Sequence, residues 1–258
     1  MNDQRASEQY VRDGFYIAAE QLAPNAVLEA ALEGMEAVRD GHFDTGEAPT
    51  SHPGYDPQKL CKINDAHLAD TGLFNLITSG EMGAATAAAT GSRRVQVWAS
   101  QLLIKPPGSA EAGNVGWHQD RQYWKYWQGT QGLFTMWIAL GEVGETSGPM
   151  RFVRSSHRWG FLDQGDFFST DQEALRQNIE MPAGETWEEV AALLPAGGAS
   201  FHDCLTYHGS GPNTSDRPRC SIAVHLRNEK AVPLPDTDDF RIAKLGDPQF
   251  CPVIYQTD

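Results

Sequence analysis

His118 and Asp120 lie two residues apart in WHQD, and His208 stands far downstream in YHGSGPN. No other side chains in this sequence are as well suited to metal chemistry. Two imidazoles and one carboxylate form the facial set that holds non-haem Fe(II) and leaves coordination positions open. Arg219 follows in RPRCS, and its planar fork can grip a carboxylate through two parallel charge-assisted hydrogen bonds. Ser210 or Ser221 can add a hydroxyl donor. Together these residue types describe an iron site with a docking point for a small dicarboxylic acid.

That spacing asks for strands. Alternate side chains of a strand share a face, so His118 and Asp120 should project together into an interior while Gln119 turns away. A third ligand from a remote strand suits a jelly roll, where distant strands face one another. A single H-x-D is common; the weight comes from the order H-x-D, then H-G-S-G-x-N, then R-x-S. No cysteine accompanies the set, which disfavours a structural zinc site. Among the other histidines, His202 reads as a core or supporting group, and His157 and His225 as hydrogen-bonded structural residues. His42, His52 and His67 read as surface residues.

The elements that must position these groups fall into two regimes. Residues 6–13 predict a short helix leading into a strand near 14–17. Val27, Leu28, Ala31, Leu32, Met35 and Val38 share one helical face, with Asn25 as the expected cap and Gly41 beyond the end. Further helices are expected at 65–78 and 80–90, with a surface loop at 42–58. From residue 95 the period changes. VQVWASQLLIK reads as a buried strand, a glycine-rich loop precedes VGWHQD, and 133–140 alternates Leu133, Thr135, Trp137 and Ala139 against Phe134, Met136, Ile138 and Leu140. Residues 159–187 form a long insertion with a short helix at 171–179, a lid candidate. Short strands with helices confined to the front predict a mainly β fold, a jelly roll buttressed by N-terminal helices. One domain is expected over 1–258, with a helical buttress (1–94), a jelly-roll core (95–228) and a C-terminal wrap (229–258).

Bulk properties narrow the partners. A net charge of −14 over 258 residues opposes binding to nucleic acid or anionic lipid. No apolar run suits a signal peptide or membrane span, and the four scattered cysteines fit a reducing, cytoplasmic setting. A small-molecule substrate remains. Trp98, Tyr123 and Trp124 offer aromatic surface near the H-x-D run, suited to a hydrophobic or cationic molecule, with Tyr123 foremost. The same aromatics could equally pack beneath the helices or the insertion.

The chain resembles the phytanoyl-CoA dioxygenase family of Fe(II)/2-oxoglutarate oxygenases. The resemblance runs through KINDAH, SQLLIKPPG, WHQDRQYW, FTMWIALGEV, SGPMRFVRSSHR and YHGSGPNTSDRPRCSIAVH, with YVRDGFYIA as a family-like opening. It implies a cupin-like double-stranded β-helix, with Fe(II) on His118, Asp120 and His208. It implies 2-oxoglutarate on Arg219, Ser210, Trp137, Gln101 and Lys62, with Lys105 as a second lysine candidate. It also implies O2 as cosubstrate and hydroxylation of an aliphatic C–H with release of succinate and CO2. Related halogenases carry a small residue at the position of Asp120, so the carboxylate there favours hydroxylation. The competing reading is a cupin-like metal-binding module without turnover; Arg219 and Ser210 argue against it.

Overall fold

The computed structural model describes residues 3–108 and 113–257. Residues 109–112, inside the loop expected before Val115, lie outside the described residues. The first half of the chain runs α1 (Asp3–Asp13), β1 (Phe15–Ala18), α2 (Asn25–Arg39), β2 (Cys61–Asn64), α3 (Thr71–Ile77), α4 (Gly80–Thr90), β3 (Arg94–Lys105), β4 (Val115–His118), β5 (Trp127–Gln128) and β6 (Leu133–Ala139). The second half runs β7 (Met150–Val153), α5 (Gln172–Asn178), β8 (Glu189–Ala191), β9 (Ala199–Asp203), β10 (His208–Ser210), β11 (Arg219–Asn228), β12 (Val232–Pro233), α6 (Phe240–Ala243) and β13 (Val253–Gln256).

The strands assemble into the expected jelly roll. The large sheet has the order β1-β9-β6-β11-β3-β13, with β2 also paired to β3, and the small sheet the order β4-β10-β7-β8. All pairings are antiparallel. Period-two alternation sorts the large sheet's side chains between two cores. Phe134, Met136 and Ile138 of β6, with Ile222, Val224 and Leu226 of β11, face the helices and pack with Leu28, Met35, Leu73 and Met82. Trp137 and Ala139 take the opposite face and meet Met150 and Phe152 of the small sheet. Burying each large apolar side chain contributes about 1.5–3 kcal/mol, so a one-residue slip of either strand would be costly.

Several expected boundaries shift for local reasons. Pro24, not Asn25, occupies the N-cap of α2; Asn25 begins the helix and its Oδ1 accepts from Gln21 Nε2 at 2.6 Å. The helix expected over 65–78 is divided. Asp65 adopts a left-handed conformation at φ 56°, its carboxylate taking the Ser100 N–H at 3.0 Å, and only a 3₁₀ turn (Ala66–Leu68) follows. Asp70 then caps α3 by accepting from the Leu73 N–H at 2.8 Å. His67 is buried, bonded to Ser100 Oγ at 2.7 Å and the Phe250 carbonyl at 3.0 Å. The C-terminal segment does more than wrap: β13 extends the large sheet along β3.

The insertion after Trp159 lies across β4. Asp166 N–H donates to the Trp117 carbonyl at 3.0 Å, and Gly116 N–H to the Phe167 carbonyl at 3.1 Å. Two glycines permit this approach: a Cβ on Gly116 would sit 2.1 Å from the Asp166 carbonyl oxygen, and one on Gly165 would sit 2.2 Å from that of Trp117. Gln119, turned away from the interior as expected, fastens the start of the insertion. Its Nε2 donates to the Gly160 and Leu205 carbonyls at 2.8 Å each, and its Oε1 accepts from Leu162 N–H at 3.0 Å.

Candidate metal centre and its two chambers

His118 ends β4 and His208 begins β10, and the two are direct cross-strand partners. Their rings therefore lie side by side, with centroids 4.1 Å apart. Each Nδ1 faces a backbone carbonyl, of Gly116 at 2.8 Å for His118 and of Thr206 at 2.9 Å for His208. A carbonyl can only accept, so each Nδ1 carries the proton and each Nε2 presents a lone pair. Asp120 is not on the strand. A capping box between Gln119 and Gln122 winds a 3₁₀ turn that begins at Asp120, and this turn swings the carboxylate beside the two rings. Asp120 Oδ1 stands 3.7 Å from both Nε2 atoms.

These donors fit a metal ion. Hydrogen-bonded groups would sit nearer 2.8 Å. Ligands each about 2.1 Å from a shared ion are separated by about 3–3.7 Å, depending on the angle. One donor atom from each of the three residues falls within 4.8 Å of the others, and all three residues are buried. The second carboxylate oxygen is held by the protein: Thr135 Oγ1 donates to Oδ2 at 2.7 Å, and His202 Nε2 lies 3.3 Å from it. Thr135 Oγ1 also meets His225 Nδ1 at 3.0 Å. Burial pushes the Asp120 carboxyl upward, but His208, His118 and His202 outweigh it, so the group sits well below the carboxylate range. Burial and the neighbouring imidazoles drive His208 well down. An ionised carboxylate beside a neutral imidazole is the protonation state that metal binding requires.

Two cavities meet at this cluster and share Gln101, His118, Asp120, Phe167 and His225. The inner one, about 40 Å³, reaches Trp137, Ser210 and Arg219 between the sheets. The outer one, about 90 Å³, is walled by Lys62, Tyr123, Trp124 and Phe168. Arg219 is 3% exposed; it donates once, from Nη1 to the Gly148 carbonyl at 2.6 Å, and its buried Nε has no partner. Burial lowers its pKa to about 10, so it remains a cation at neutral pH. Its guanidinium lies 5.2 Å from the Trp137 ring centroid.

Lys105, opposite Arg219 in register, is fully buried and donates to Ser210 Oγ at 2.7 Å, the Ser210 carbonyl at 3.3 Å and the Gly211 carbonyl. Burial and the Arg219 charge pull its pKa to about 5. Ser210 lines the inner cavity beside Arg219. Ser221 instead spends its hydroxyl on the Leu103 carbonyl at 3.3 Å.

Of the expected site residues, the inner chamber brings together Arg219, Ser210, Trp137 and Gln101, while Lys62 falls in the outer chamber. Tyr123 and Trp124 also line the outer chamber. Trp98 is different: fully buried, it stacks on His225 at 5.5 Å, meets Trp124 edge-on at 4.9 Å and lines neither cavity. His225, expected as a hydrogen-bonded group, is bonded to Thr135 and also lines both cavities. Thr135 and Phe167 were not expected; Thr135 occupies an inward position of β6, and its parity with Trp137 is the available signal. Phe167 lies on an irregular segment with no period to read.

A family model of phytanoyl-CoA dioxygenase matches residues 10–221. The chain belongs to the phytanoyl-CoA dioxygenase family. It is 24% identical over 229 residues to an ectoine dioxygenase of Bordetella bronchiseptica, covering 83% of this chain and 72% of the relative. It is 30% identical over 138 residues to a probable alpha-ketoglutarate-dependent hypophosphite dioxygenase of Stutzerimonas stutzeri, covering 52% of this chain and 46% of that one. In fold it is similar to SnoK, a non-haem alpha-ketoglutarate-dependent carbocyclase from nogalamycin biosynthesis. The TM-score is 0.73 at 22% identity, over 97% of this chain and 95% of that one. The chain is thus an Fe(II)- and 2-oxoglutarate-dependent dioxygenase that uses O2, which decides against a metal-binding module without turnover. Among the described residues, no helix is long and apolar enough to cross a membrane.

Proposed function

We propose that His118, Asp120 and His208 hold Fe(II), that the inner chamber receives 2-oxoglutarate, and that the outer chamber receives a small molecule hydroxylated at an aliphatic C–H. The observation that carries this reading is the bare Nε of a buried Arg219, at the far end of the cavity that opens from the triad. A buried guanidinium with unused donors is costly unless an anion arrives. The distal carboxylate of 2-oxoglutarate is such an anion, and Ser210 lines the same cavity.

Each protein group has a distinct task. The backbone carbonyls behind His118 and His208 fix the ring tautomers, and Thr135 occupies Oδ2 of Asp120, which would leave Oδ1 to hold the ion. Arg219 and Ser210 orient the dicarboxylate along the Trp137 wall, and Phe167 and Phe168 line the outer chamber. When bound, iron supplies O2 activation coupled to decarboxylation of 2-oxoglutarate to succinate and CO2. The ectoine and hypophosphite dioxygenases among the relatives support a small-molecule substrate. The test is anaerobic addition of 2-oxoglutarate to the Fe(II) protein, expected to produce a metal-to-ligand charge-transfer band, followed by a substrate screen scored on succinate release in air. Absence of the band would refute the proposal.

A further inference from the structure

We infer that Lys62 is an anchor for an anionic group on the primary substrate, so that the outer chamber selects small carboxylic acids over their neutral counterparts. This rests on reading the outer chamber as the substrate room. Lys62 lies on β2 opposite Leu103, and its Nζ is 4.4 Å from the ring centroid of Phe167 and 5.4 Å from that of Phe168. Among the described residues, no carboxylate lies within 4.0 Å of this ammonium, and it makes no hydrogen bond. An ammonium has three donors to satisfy, and two aromatic faces satisfy none of them fully. Burial lowers the Lys62 pKa and Arg241 adds to the effect, while Asp120 opposes it.

Asp120 lines the same chamber, yet its oxygens are committed, Oδ1 toward the triad and Oδ2 to Thr135. The cosubstrate has no charge to spare either. The double charge of Fe(II) together with Arg219 is balanced by Asp120 and the two carboxylates of 2-oxoglutarate. Lys62 stays unneutralised beside them, in the chamber that Arg219 does not line. A neutral substrate would leave that half-buried cation without a partner in the chamber, whereas a carboxylate pairs with it. The acid's carbon skeleton is then held between Lys62 and the His118–Asp120 edge, against Tyr123 and Trp124.

The experiment uses the anaerobic Fe(II)–2-oxoglutarate protein and matched probes: L-proline with L-prolinamide, and cyclohexanecarboxylate with cyclohexanecarboxamide. Binding is read by calorimetry, and 2-oxoglutarate affinity separately from the charge-transfer band. At least one acid should bind about tenfold or more tighter than its amide. Lys62→Met should erase that gap by weakening the acid alone, Lys62→Arg should retain most of it, and both should shift half-saturation by 2-oxoglutarate less than about twofold. The inference is overturned if no acid outbinds its amide. Equal weakening of acid and amide in Lys62→Met would also overturn it, making the lysine a fastener for Phe167 and Phe168. So would a tenfold loss of 2-oxoglutarate affinity, which would return Lys62 to the cosubstrate. A wild-type protein without the charge-transfer band would instead refute the parent reading.

Discussion

Replacing Arg219 with Met tests the cosubstrate site most directly. The guanidinium is 3% exposed and spends one donor on Gly148, leaving Nε free inside the sheet sandwich. Removing one member of a buried, hydrogen-bonded charge pair costs about 2–5 kcal/mol, and each 1.4 kcal/mol is tenfold in affinity. The half-saturating concentration of 2-oxoglutarate should therefore rise by about thirtyfold to several thousandfold. Lys105 does not take over the charge, because burial, the larger cause of its low pKa, persists without Arg219. Folding should suffer separately, because the Gly148 carbonyl loses its buried donor at a cost of about 1–3 kcal/mol. Iron binding should persist, since no triad atom is bonded to Arg219. The assay is anaerobic titration of the charge-transfer band, with iron content measured in parallel. A shift below about threefold with iron retained would refute the reasoning.

Other perturbations address the metal, the buried acid and the insertion. His118→Ala should abolish turnover and lower Fe(II) affinity in a chelator competition, whereas His202→Ala should keep its iron, because His202 faces Oδ2 of Asp120 rather than Oδ1; the reverse pattern would overturn the ligand set. Burial raises the Asp203 pKa from 3.8 to about 6, so between those values the folded protein keeps a proton that the unfolded chain releases. Stability from this group is full below about pH 3.8 and is lost as pH rises through about 6, amounting to about 3 kcal/mol at most. Asp203→Asn retains an acceptor for Leu205 N–H, so urea melts should show it gaining stability at pH 7.5 relative to pH 4.5; an unchanged difference would contradict this. Gly165→Ala puts a Cβ 2.2 Å from the Trp117 carbonyl at φ +105°, so the crossing over β4 should loosen by about 1–3 kcal/mol. Limited proteolysis should then cut within residues 160–171 faster than in the parent protein, and equal cleavage rates would exclude that role for Gly165.

What could be read in advance depended on whether position along a strand decides which side a residue faces. On β6 and β11 it does: the same alternation that sends Met136 and Val224 to the helices sends Thr135, Trp137, Arg219 and His225 inward. His225 is hydrogen-bonded as its sequence suggests, and its parity adds that it faces the chambers. The H-x-D spacing places both residues on one strand, yet β4 stops at His118 and the Gln119–Gln122 turn carries Asp120. The carboxylate still converges, because a tight turn closing on a strand end keeps its first side chain near the last one. Lys62, Trp98 and Phe167 lay beyond such reasoning for a common physical cause. The chamber that Lys62 enters depends on the pairing of β2 with β3, a contact between segments about forty residues apart. Trp98 lies where β3 passes an irregularity opposite His225 and Leu226, which breaks the alternation that would have assigned its face. Phe167 owes its place to backbone bonds with β4 that only glycine at 116 and 165 allows. Metal ligation is specified by a few local geometries, whereas the shape of the substrate chamber is a sum of distant pairings. This is why relatives can share the former and turn over different molecules in the latter.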